Sequence, residues 1–124
     1  MPRGALIRLY LGGASSYRGD GPVDLLFGLP PIPASVDTYV DMMEAEGVDL
    51  PWSVAVVSGS TVDGEVAHRA LERGGHLRVG LEDYAGAQRR SNLELVREAV
   101  AVCEEVGRPV ARPDEMAKLL DLPR

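Results

Sequence analysis

Apolar residues recur along this chain in two rhythms, one of period two and one of period 3.6, and each predicts its own kind of element. Ala5-Leu6-Ile7-Arg8-Leu9-Tyr10-Leu11 reads as a strand closed by Gly12-Gly13, and Val23 to Phe27 as a further short strand. Trp52 to Val57 is a nearly continuous apolar run, the signature of a strand covered on both faces. In Gly74-Gly75-His76-Leu77-Arg78-Val79-Gly80-Leu81-Glu82-Asp83 the strand period puts His76, Arg78, Gly80 and Glu82 on one face. Leu77, Val79, Leu81 and Asp83 fall on the other. Helical spacing fills the intervals. Ser35 caps a predicted helix that reaches about Glu46, with Val36, Tyr39, Val40 and Met43 along one side and Gly47 as its stop. A second helix runs from about Val62 to Arg73 and places Val62, Val66, Ala67, Ala70 and Leu71 together. A third follows the capping box Ser91-Asn92-Leu93-Glu94, turns Val96, Val100, Cys103 and Val106 inward, and ends at Gly107. Pro109-Val110-Ala111 is strand-like, and Pro113-Asp114-Glu115 opens a last short helix with Met116, Leu119 and Leu120 on its apolar side.

The connections are short. Gly28-Leu29-Pro30-Pro31-Ile32-Pro33 carries three prolines and is expected to be a rigid loop, because each removes a backbone donor and fixes φ. Ser58-Gly59-Ser60-Thr61 reads as a strand-to-helix turn whose hydroxyls cap the next helix, and it lacks the glycine spacing of a hydrolase nucleophile elbow. Strands alternating with helices predict an α/β fold with a parallel sheet, and 124 residues predict a single domain over 1–124. A small open sheet and a piece of a β/α barrel both satisfy this order. The polar face of the strand over Gly74 to Asp83 favours the barrel, since barrel sites are built at the carboxyl ends of strands, where Glu82 and Asp83 stand. An ordinary strand whose Arg78 and Glu82 form a structural ion pair fits the same spacing.

Composition narrows the chemistry. A formal net charge of -6, with no basic run, speaks against nucleic acid or an anionic membrane as partner. The apolar patch Ala5 to Leu11 is too short to span a bilayer and is broken by Arg8. Cys103, the single cysteine, fits a reducing, cytoplasmic setting and a buried hydrophobic role. His68 has no second histidine at ligand spacing and reads as a solvated surface residue. Arg18-Gly19-Asp20 matches an adhesion tripeptide, a three-residue coincidence that nothing else supports.

The run Gly74 to Asp83, followed by Ser91-Asn92, Glu94-Leu95-Val96 and Gly107-Arg108-Pro109-Val110-Ala111 with Pro113, resembles the C-terminal part of the β-keto acid cleavage enzyme family, typified by 3-keto-5-aminohexanoate cleavage enzyme. Leu29-Pro30-Pro31 and Pro51-Trp52-Ser53-Val54 add to the resemblance. It implies a zinc-dependent (βα)8 TIM barrel, of which this chain supplies about three βα units. It also implies the reaction of a β-keto acid with acetyl-CoA to give acetoacetate and a new acyl-CoA. By position, Glu82 corresponds to the family's carboxylate ligand for Zn2+, Arg78 to its active-site arginine, and Asp83 to the acidic residue beside the metal. A divalent cation would polarise the keto oxygen, and a forked guanidinium suits a carboxylate.

The departures from the family pattern are specific. The family's other zinc ligands lie in a His-x-His motif that occurs nowhere in this sequence, and a complete barrel needs roughly 250 residues. Val57-Ser58-Gly59-Ser60 replaces a segment that usually carries Gly and Arg, and Tyr84 stands where many members have Asn. The expectation is therefore a truncated or split member, inactive alone and weak in zinc binding, that acts with an N-terminal half-barrel chain or self-associates as a homo-oligomer. A non-catalytic remnant and a small α/β binding module are the alternatives.

Overall fold

The computed structural model describes residues 4–13, 28–84 and 89–122. Arg18-Gly19-Asp20 and the strand expected over Val23 to Phe27 lie outside them. In order the elements are β1 (Ile7–Gly12), α1 (Pro33–Ala45), β2 (Trp52–Val57), α2 (Glu65–Glu72), β3 (His76–Leu77), α3 (Asn92–Val106) and α4 (Pro113–Leu119). The strands form one parallel sheet in the order β1-β2-β3. The fold is thus α/β, as the alternating pattern predicts.

Strand alternation decides the two faces of the sheet. Leu9, Leu11, Trp52, Val54 and Val56 join Val36 and Val40 of α1 and Val66 and Ala70 of α2 in one buried core. A smaller cluster of Ala67, Leu71 and Val102 seats α3 against α2, with Leu77, Cys103 and Val106 packed around it. The helices therefore cover the face that carries the odd positions of β1 and the even positions of β2. The opposite face carries Arg8, Tyr10, Ser53, Ala55 and Arg78. All six residues of β2 are buried, in keeping with its unbroken apolar run.

Several elements differ from their sequence-based boundaries. Helix α1 begins at Pro33, with Ile32 in the cap position, so the proline run ends inside a helix; its fixed φ suits the first helical turn, where its missing N–H costs nothing. Ser35 is buried within that turn and is not the cap. Helix α2 starts at Glu65, because Ser60 and Thr61 spend their hydroxyls elsewhere: Ser60 Oγ accepts from Val62 N at 3.3 Å, and Gly64 occupies the cap position. Helix α3 has the predicted capping box and a left-handed Gly107, but Leu95 and Val102 are its buried residues and Val96 is 50% exposed. Pro109-Val110-Ala111 is exposed coil, and among the described residues no strand pairs with it. Helix α4 buries none of its residues, and Leu119 faces solvent.

The largest correction concerns the third strand. Regular pairing covers only His76 and Leu77, and Arg78 N donates one further bond to Val54 O at 2.9 Å. In a parallel ladder the next rung would run from Val56 N to Arg78 O. Here the Thr61 hydroxyl stands between them, accepting from Val56 N at 3.0 Å and donating to Arg78 O at 3.1 Å. The chain is thereby released from the sheet and turns through Leu81, Glu82 and Asp83 before it returns, with Ser58 N donating to Asp83 O at 2.8 Å. The alternation expected over the whole of Gly74 to Asp83 stops at this inserted hydroxyl.

Candidate functional site

The polar face of the sheet is organised around a small residue. Ala55 lies opposite Tyr10 in the register, and the bond from Arg78 N to Val54 O sets Arg78 alongside Ala55 on the other edge. Strands in a sheet are about 4.8 Å apart, so β1 and β3 sit roughly twice that apart. A methyl group between them lets two long side chains lean across and meet. Arg78 Nη1 donates to Tyr10 Oη at 2.8 Å, and Ala55 beneath is fully buried. Arg8 reaches the same phenol from below, its Nη1 donating to Tyr10 Oη at 3.3 Å.

Arg78 is the hub. Its Nη2 pairs with Glu82, and its Nη1 lies 3.1 Å from Asp83 Oδ2. The turn that replaces the expected strand makes this possible, because it brings residues from opposite strand faces to the same guanidinium. The turn is pinned at both ends: Asn92 Oδ1 at the start of α3 accepts from Leu81 N at 3.0 Å, and Tyr84 N donates to Gly80 O at 3.2 Å. The two carboxylates sit in different surroundings. The Glu82 side chain is 80% exposed, whereas that of Asp83 is 12% exposed. Asp83 Oδ2 is buried and makes no hydrogen bond among the described residues, its contact with Arg78 being an ion pair without hydrogen-bond alignment. Burial works to lower the Arg78 pKa, but the charge of Asp83, then Tyr10 and Glu82, outweighs it and holds the guanidinium more firmly protonated than usual.

A narrow cleft, with interior room of about 10 Å³, enough for about one water molecule, lies beside this hub at the carboxyl ends of β2 and β3, lined by Ser60, Thr61, Arg78, Gly80, Asp83 and Tyr84. Its two walls are tied by Arg90, which stacks over the Tyr84 ring at 5.5 Å, pairs with Asp63, and lies 3.3 Å from Glu98. Ser58, just after β2, has a φ of 59°, a left-handed conformation unusual for a residue with a side chain, and its buried hydroxyl has no partner among the described residues.

Of the residues singled out from sequence, Arg78, Glu82 and Asp83 converge. His76 sits at the far end of β3, where burial, and then the charge of Arg108, lowers its pKa. His68 joins α2 to α3 through Glu105 at 2.9 Å. Cys103 is half-buried in the α2–α3 cluster, and burial raises its thiol pKa, which suits packing better than nucleophilic chemistry. Sequence reading passed over Tyr10, Ala55, Thr61 and Arg90. The period-two reading applied to β1 would have put Arg8 and Tyr10 on one face; no sequence signal marks the Thr61 insertion.

Zinc needs three or four protein ligands. Among the described residues no three His, Cys, Asp or Glu side chains are grouped as a metal cage. Glu82 is turned to solvent and engaged by Arg78, so the residues present do not fit the ion.

The profile of the beta-keto acid cleavage enzyme family matches residues 17–122. The chain belongs to this family. It is 37% identical over 89 residues to 3-oxoadipate:acetyl-CoA acetyltransferase of Cupriavidus necator, a match covering 68% of this chain and 31% of that protein. It is 38% identical over 93 residues to 3-keto-5-aminohexanoate cleavage enzyme of Fusobacterium nucleatum, covering 72% and 34%. A third relative, 3-dehydrocarnitine:acetyl-CoA trimethylamine transferase of Rhizobium meliloti, is 32% identical over 104 residues, covering 81% and 34%. The matched part of this chain spans about one third of the length of each of these relatives. Among the described residues no helix is long and apolar enough to cross a membrane.

Proposed function

We propose that this chain supplies carboxyl-terminal βα units of a (βα)8 barrel that reacts a β-keto acid with acetyl-CoA. The observation that carries this reading is the convergence of Arg78, Asp83 and Glu82 at the carboxyl ends of parallel strands, beside a cleft, in a chain of this family. Helices packed on one sheet face, with strands in sequential order, suit the barrel; in that arrangement the face bearing Tyr10 and Arg78 would be the interior.

In this reading Arg78 receives the substrate carboxylate. Its Nη2 is the free arm, because Glu82 is exposed and an exposed ion pair costs about 1 kcal/mol or less to break. Nη1 stays fixed by Tyr10, so a forked guanidinium is presented with one side already oriented. Asp83 handles the proton: its Oδ2 is shielded from water, next to the Arg78 cation and without a hydrogen bond that would occupy it. Zn2+ bound through Glu82 would require donors that the described residues do not supply, and the catalytic unit is this chain together with further barrel polypeptide that carries them.

Complementation tests this. The chain would be mixed with the remaining two thirds of the Fusobacterium nucleatum relative and given a β-keto acid and acetyl-CoA, with acetoacetate and the new thioester followed by mass spectrometry. The chain alone should release zinc on dialysis and give no product. The complex should retain zinc and turn over, and Arg78→Lys or Asp83→Asn should lower the rate about a hundredfold or more. A stable, zinc-loaded complex with no turnover would sink the reading, as would unaltered rates in both variants.

A further inference from the structure

Tyr10 belongs to an element that sequence reading left without chemistry, yet its phenol is the point where polar side chains from both outer strands meet. Its oxygen accepts from Arg78 at 2.8 Å and from Arg8 at 3.3 Å. A phenol that accepts through its lone pairs still owns its proton, and among the described residues no acceptor takes it. Two guanidinium donors on one oxygen polarise the O–H and make it a stronger donor, as chained hydrogen bonds do. Tyr10 lies opposite Ala55 in the regular part of β1, and the two guanidinium bonds hold its ring toward Arg78. The result is a fixed, activated hydroxyl adjacent to the one guanidinium whose outer arm can be vacated.

We propose that Tyr10 is a ligand-contacting residue of the Arg78 site: its hydroxyl, clamped by Arg8 and Arg78, donates its free hydrogen bond to an oxygen of a β-keto carboxylate seated on Arg78. This rests on the reading of the site given above and adds the residue that distinguishes a keto acid from a plain carboxylate. A carboxylate alone satisfies the guanidinium fork. The second oxygen of a β-keto acid, two carbons along, reaches the neighbouring phenol, and charge that grows on that oxygen strengthens the bond. Arg8 acts through Tyr10 and is a positioning residue.

The test uses the full chain with acetoacetate and, in parallel, butyrate as the carboxylate that lacks the keto oxygen. Dissociation constants are measured by ligand-observed NMR for the wild type, Tyr10→Phe and Arg8→Gln, each checked for a cooperative thermal melt. Acetoacetate should bind the wild type more tightly than butyrate does, Tyr10→Phe should weaken acetoacetate about tenfold, and butyrate should be unchanged. Arg8→Gln should weaken acetoacetate less than Tyr10→Phe. A second arm does not need the variant to fold: with tyrosine labelled with carbon-13 at Cζ, the Tyr10 resonance, assigned by elimination through phenylalanine at the other three tyrosines, should move with acetoacetate and not with butyrate. Equal affinity of wild type and Tyr10→Phe for acetoacetate, or a static Tyr10 resonance on saturation, would overturn the proposal while leaving the keto-acid reading intact. Absence of any acetoacetate binding to the folded wild type would also overturn the proposal, and turnover in the complementation experiment would then show that the reading of the site stands without it.

Discussion

Thr61 carries more of this architecture than its size suggests. By standing in for one rung between β2 and β3 it satisfies both Val56 N and Arg78 O, and it lets the chain leave the sheet so that Asp83 can approach Arg78. Valine has nearly the same shape without the hydroxyl. Thr61→Val would leave a donor and an acceptor facing one another across a gap, at a cost of about 1 to 3 kcal/mol. The expected outcome is a lower midpoint in urea with an unchanged m-value; a midpoint equal to the wild type would show that the strand re-pairs directly and that the turn does not depend on the hydroxyl. Gly75 shows the opposite case, in which the sequence did announce the constraint. A methyl there would meet the Trp52 ring at 2.3 Å, so the second glycine of the pair is where a helix return must clear an indole on the neighbouring strand. The pair is visible in the sequence, but its reason is visible only once Trp52 is placed above it.

Among the elements, α3 is the most self-sufficient. Ser91 Oγ accepts from Glu94 N at 3.3 Å and Glu94 returns the favour to Ser91 N at 2.7 Å, which is why the boundary was legible from four residues. Ser91→Ala should cost about 1 kcal/mol, read as a lower melting temperature. The backbone bond from Ser91, followed by its hydroxyl, holds the Glu94 carboxyl below its ordinary 4.5. The folded value is the lower one, so this contribution is complete above about pH 4.5 and disappears as pH falls through the depressed value. Hydrogen-exchange protection factors at the α3 N-terminus should fall on acidification below that point; protection that stays constant to pH 3 would contradict the assignment. Helices α1 and α2 are held differently, by Arg73 bridging Asp37, Asp41 and Glu44, and Arg69 bridging Asp37 and Glu72. Nothing in either helix sequence says that those charges face one another; only the packing of α1 on α2 does.

For the whole molecule the edges of the small sheet govern behaviour. In the described sheet β1 pairs with β2 on one side and meets Leu29 by a single bridge on the other, while β3 pairs with β2 over two residues. Sheet edges of this kind recruit further strands. Exposed Leu81, Leu93 and Val96 around the start of α3 add apolar surface near the same rim. Concentration-dependent association is the expected behaviour, measured by sedimentation velocity between about 5 and 500 μM, and it should strengthen in salt as the net charge of -6 is screened. A single monomeric boundary across that range would favour a stand-alone α/β module over a barrel unit.

The amino-acid order by itself determined the α/β class, the parallel succession of elements, the capped third helix, the buried middle strand and the nearness of Arg78 and Glu82. These depend on periodicity, on caps and on short contiguous patterns, all of which are local. Tertiary structure alone decided that Asp83 joins Arg78 from what would have been the opposite face, that Tyr10 meets Arg78 across Ala55, and that Ser35 is buried while Val96 is not. Each of those outcomes turns on a hydrogen bond or a packing contact between residues far apart in the chain, such as Thr61 with Arg78, and no local pattern records which distant partner a group will find.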